Sequence, residues 1–79
     1  MATDTRAWID AYAAALGVGT LSDADIAVLL ELAGTAAHAA ERTAAPLSCW
    51  LAASAGVPPT VALEKARSLA ASVAEDASD

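Results

Sequence analysis

Apolar side chains recur every three to four residues along most of this chain, and no stretch alternates polar with apolar as a half-buried strand would. The pattern predicts four helices. In the first, over about residues 4–16, Trp8, Ile9, Tyr12, Ala15 and Leu16 gather on one side of a helical wheel, while Arg6, Asp10 and Ala13 point away. The aromatic side is expected to face the core. Thr3 or Asp4 is placed to cap this helix, and Gly17 to end it in a left-handed conformation. The second helix, over about 23–42, opens on Ser22 and Asp25, a pair resembling a capping box, with Leu21 placed to staple against Ile26. Its main apolar stripe is Ile26, Leu29, Leu30, Ala33, Ala36, Ala37 and Ala40; Val28, Leu32 and Ala39 form a second apolar edge that another helix could cover. Gly34, mid-helix, costs about 1 kcal/mol relative to alanine, which suggests a close helix contact there.

Thr43 is a candidate cap for the third helix, over about 46–55, with Pro46 in its first turn, where a missing N–H costs nothing. Leu47, Trp50, Leu51 and Ser54 share one of its faces, and Gly56 ends it. The fourth helix, over about 59–74, starts at Pro59 and carries a stripe of Ala62, Ala66, Leu69, Ala70 and Val73, with Glu64, Lys65, Arg67 and Ser68 outside and EDASD as a solvated end. With short loops and no internal repeat, the expectation is an all-α fold, a single small bundle of four helices in one domain over 1–79.

Composition thins this picture. Of 79 residues, 24 are alanine, and the large apolar side chains are few: two Trp, one Tyr, no Phe and a modest set of Leu, Ile and Val. Alanine favours helix but buries little area, so the core is expected to be marginal and a homodimer to relieve it. Trp8 and Trp50 are read as core packing groups rather than anchors for a partner.

The net charge of −6 repels phosphate backbones and anionic lipid, which argues against nucleic acid and membrane surfaces as partners. No apolar run approaches the roughly 20 residues a membrane span needs. MATDTRAWID has neither a basic nor a hydrophobic leader region, and a cytoplasmic location is expected. The single cysteine, Cys49, cannot form an internal disulfide.

Candidate chemistry concentrates in AAHAAERTAAPLSCW, residues 36–50. Glu31, Thr35, His38 and Arg42 fall on one stripe almost opposite the main apolar one, with Glu41 beside it. The simplest reading is a solvated face whose cations suit the negative end of a helix dipole. A structural alternative has Glu41 and Arg42 bridging the second and third helices, with His38 beneath the Pro46 turn. Bundle metal sites need two Glu-x-x-His units and further carboxylates, and a chain with one histidine does not supply them, so no metal is expected. Nor does any residue orient His38 toward Cys49 as a nucleophile pair would require. Neither a catalytic residue nor a cofactor is expected. Arg42 with the N–H groups opening the third helix could instead hold a phosphate-bearing or other anionic ligand.

The run LLELAGTAAHAAERTAAPLSCWLAASAG resembles the signature of a small, uncharacterised actinobacterial helical family, a domain of unknown function, and WIDAYAAALGV resembles its N-terminal segment. The similarity covers about residues 8–70, with His38, Glu41, Arg42, Ala45, Pro46 and Leu47 as its most specific run. Thr43 stands where the family usually has proline, and Gly34-Thr35 where it usually has a charged pair. Members of that family occur alone or fused to molybdenum-cofactor guanylyltransferase-like proteins, often near formate dehydrogenase functions. The resemblance implies a non-enzymatic accessory or protein-interaction domain linked to molybdenum-cofactor maturation. Its binding face would comprise His38, Glu41 and Arg42, with Pro46 fixing the turn, and its protein partner would belong to the molybdenum-cofactor or formate dehydrogenase systems.

Overall fold

Asp4 opens the first helix by accepting a hydrogen bond from the Ala7 N–H at 2.7 Å, in a computed structural model that describes residues 4–77. Thr3, the alternative cap, lies outside those residues. The helix, α1 (Thr5–Leu16), closes at Gly17, whose φ of 74° lets its own N–H and that of Val18 return to the Ala14 and Ala13 carbonyls. Ser22 caps α2 (Asp23–Ala39), its Oγ accepting from the Asp25 N–H at 3.0 Å. Helix α3 (Ala44–Ala55) ends at Gly56 with φ 73°, and α4 (Pro59–Ala77) follows. Four helices and no strand make up the described residues, an all-α small bundle.

Helix α2 stops three residues before its expected end. Ala40 leaves the helical region at φ −131° and ψ −97°, and the Glu41 and Arg42 carbonyls then accept the Ala44 and Ala45 N–H groups in tight turns that start α3 two residues before Pro46. Alanine has no side chain that signals such a break, so the sequence reads as continuous helix. Thr43 adopts α-helical dihedrals and makes no side-chain cap bond, contrary to its expected role.

Packing centres on α2, which lies against both α3 and α4. Leu32, only 3% exposed, meets Ala62 and Leu63 of α4, with Val28, Leu29, Cys49, Ala52, Val57 and Ala66 around them. The face α2 buries therefore combines Val28 and Leu32 of the second edge with Leu29 of the main stripe, while Leu30 of that stripe is 64% exposed and Ala39 of the edge lies in the open. On α4, Leu63 joins Ala62 in the core while Leu69 and Val73 lie in the open. On α2 the difference has a physical cause: the helix is apolar over most of its circumference, so periodicity alone cannot choose its inner side.

Helix α1 departs most from expectation. It makes no packing with another helix comparable to that of α2 with α3 or α4, and its buried residue is Ala13. Trp8 (57% exposed), Tyr12 and Leu16 face outward, and Trp50 of α3 is 75% exposed. The aromatic residues are not core groups in this chain. The molecule accordingly measures 48 × 29 × 18 Å, with a radius of gyration of 14.2 Å against about 12 Å for a compact chain of this length.

Gly34 is not a close-contact position either, since a Cβ added there would meet nothing within 4 Å. Gly34→Ala should therefore raise stability by about 0.5–1 kcal/mol through helix propensity alone, read as a higher denaturation midpoint with unchanged slope.

Candidate functional site

The four residues singled out by sequence fall at the corner between α2 and α3. His38 occupies the last turn of α2, Glu41 and Arg42 lie in the connection, and Pro46 is in the first turn of α3. All four are exposed. Because the helix ends at Ala39, Arg42 does not continue the stripe of Glu31, Thr35 and His38. His38 and Arg42 nevertheless share a surface hollow of about 400 Å³ with Ala37, which Glu41 and Pro46 do not line. The rest of the stripe has local uses: Thr35 Oγ1 donates to the Glu31 carbonyl at 2.8 Å, and Glu31 pairs with Arg67 of α4 at 2.7 Å. That exposed ion pair is worth about 0.2–1 kcal/mol.

For an anion at Arg42, two of the backbone donors at the start of α3 are already spent, because the Ala44 and Ala45 N–H groups donate to Glu41 and Arg42. Among the described residues no group of three or more His, Cys, Asp or Glu side chains is gathered as metal ligands would be. Cys49 is half-buried against the Leu32 cluster, and desolvation pushes its thiol above the usual range, which suppresses the reactive thiolate at neutral pH. It behaves as a small packing group.

The most connected polar group is one that sequence reasoning turned outward. Arg6 donates to Asp10 at 2.7 Å, to Asp23 at 3.0 Å, to Thr20 Oγ1 at 3.1 Å and to the Leu21 carbonyl, while Thr20 also donates to Asp10. One guanidinium thus ties α1 to the following loop and to the first residue of α2. The Arg6–Asp10 spacing of four is readable as a helical ion pair, but the contacts to residues 20–23 depend on how the loop folds back. The hydrogen bond from Arg6, then that from Thr20, holds the Asp10 carboxyl below the usual carboxylate range. A group depressed in this way stabilises the docked α1 fully above its unfolded value near 3.9. The contribution disappears as pH falls through the lower folded value. Amide hydrogens of α1 should therefore lose protection below about pH 4 before those of α2 do, and Arg6→Ala should produce the same selective loss at neutral pH.

A small all-helical domain with a thin core, open apolar faces and a polar corner is the class that fold and site define. The chain belongs to the family described as Domain of unknown function DUF6457, whose model matches residues 1–79. No match was found among curated proteins or among solved structures. Among the described residues, no helix is long and apolar enough to cross a membrane.

Proposed function

We propose that this chain is a non-enzymatic accessory domain whose work is protein–protein interaction. The observation that carries the reading is the placement of its large side chains: Pro46, Leu47 and Trp50 share the outward face of α3, a helix without a single charged residue. Surface helices of independent domains normally carry a charged outer face, and an exposed tryptophan within an apolar patch is a common anchor for a partner. His38, Glu41 and Arg42, exposed in the last turn of α2 and in the connection that leads into α3, supply the polar groups assigned to the rim of this interface. The resemblance to domains fused to molybdenum-cofactor guanylyltransferase-like proteins directs the partner toward the molybdenum-cofactor or formate dehydrogenase systems, in a cytoplasmic setting. Anion capture at Arg42 remains a second reading with less support, given the spent donors of Ala44 and Ala45.

Capture of partners from the native host with the tagged chain tests this reading. A maturation or dehydrogenase protein should be retained by the wild type and largely lost with Trp50→Asp, while helicity is unchanged. Retention undiminished by Trp50→Asp together with Arg42→Ala would refute the assigned face.

A further inference from the structure

We propose that two copies of this chain associate by reciprocal exchange, the apolar stripe of α1 from each copy seating in the groove between α3 and α4 of the other. This inference uses a different surface from the outward face of α3 and does not rest on the partner reading. Its first ground is area. The chain exposes 5862 Å², about 1,500 Å² more than the roughly 4,400 Å² expected of a compact monomer of its mass. Obligate homodimers bury about 1,000–2,500 Å² per chain, so one such interface accounts for the excess.

The second ground is fit. Helices α3 and α4 both lie on α2 without comparable packing on each other, and two hollows of about 320 and 230 Å³ open between them. Leu51 and Ala55 line the first, Leu69 and Val73 the second, and Ser48 and Ala66 line both, which makes the hollows one continuous groove. A bundle of α2, α3 and α4 thus lacks its fourth member. Trp8, Tyr12 and Leu16 recur every four residues on α1, the spacing of anchors that lie along a groove, and the two rings already stack at 5.9 Å. Helices α1 and α3 are each 12 residues, about 18 Å long. The chain's own α1 is held at the start of α2 by Arg6, with its stripe outward. The one charged side chain lining either hollow is Lys65, so the groove itself adds no carboxylate to the repulsion between two chains of net charge −6, and the seat is apolar.

Sedimentation equilibrium of the full chain across a hundredfold concentration range provides the test. A mass twice 7.8 kDa is expected at high concentration. Leu16→Asp on α1 and Leu69→Asp in the groove, both at exposed positions, should each keep their helicity and weaken association at least about a hundredfold, about tenfold for each of two seats lost. An equimolar mixture of the two variants should regain a dimer weaker than wild type, because one native α1 then meets one native groove. Trp50→Asp should leave the mass at the dimer value. If Leu69→Asp loses helicity, Leu51→Asp on the opposite wall replaces it. A monomer at every concentration overturns the proposal, including one whose α1 closes into its own groove. So does a dimer indifferent to Leu16→Asp, or a mixture that shows no recovery, the result expected of an α1–α1 contact.

Discussion

Leu32→Ala should unfold the isolated chain, or bring it so close to unfolding that no cooperative thermal transition survives at 25 °C. Leu32 is the most buried large side chain among the described residues and the point where α2 meets α4. Its truncation removes buried methyl and methylene groups from a cluster with few other large members, and such Leu→Ala changes cost about 2–5 kcal/mol. A chain of this size has about that much stability in total. Circular dichroism during denaturant titration would read the effect. Leu30→Ala, two residues earlier and about 200° round the helix on its exposed side, serves as the control, with a change within about 0.5 kcal/mol. If the two variants cost the same, the assignment of the inner face of α2 is wrong.

Ala62→Asp should be at least as damaging at neutral pH, by a different route. Ala62 lies 7% exposed beside Leu32 and Leu63, and no cationic side chain belongs to that cluster. An ionised carboxylate placed there loses its hydration, and Lys65, the one cation lining the adjacent hollow, is exposed and offsets little of that loss, so the group would either unfold the helix pair or take up a proton. The sign of the pH dependence follows from the second option. A carboxyl whose folded pKa is raised favours folding only while protonated, so the variant should recover helicity as pH falls toward 4 and lose it as pH rises. Wild-type α1 responds in the opposite direction, losing Asp10 as an anchor in acid. An Ala62→Asp chain that stays folded and indifferent to pH would mean that α4 does not pack on α2 through this position.

The polar corner was only partly legible beforehand. Helical spacing puts Glu31, Thr35 and His38 on one face, and they do share it, but the wheel carried the same face on to Arg42 across a break at Ala40 that no glycine or proline marks. His38 and Arg42 still line one hollow, brought together by the turn rather than by the helix. Arg6 shows the converse. Its spacing from Asp10 was visible, yet its partners at Thr20, Leu21 and Asp23 come from a loop whose path short-range pattern does not encode.

What the sequence by itself determined is the helical identity of the chain and several of its boundaries. Alanine content, the Asp4 and Ser22 caps and the glycines at 17 and 56 act through local backbone energetics that need no tertiary partner. Only the tertiary structure decided which faces are inside. Helices α2 and α3 are apolar around most of their circumference, so burial of one side or another differs little in local terms. The choice falls to mutual packing: Leu32 against Ala62 and Leu63 brings α2 and α4 together, and Arg6 holds α1 apart by hydrogen bonds. With so few large side chains in the described core, the aromatic residues that a wheel assigns to the interior are left on the surface, because no second layer of this chain lies over them.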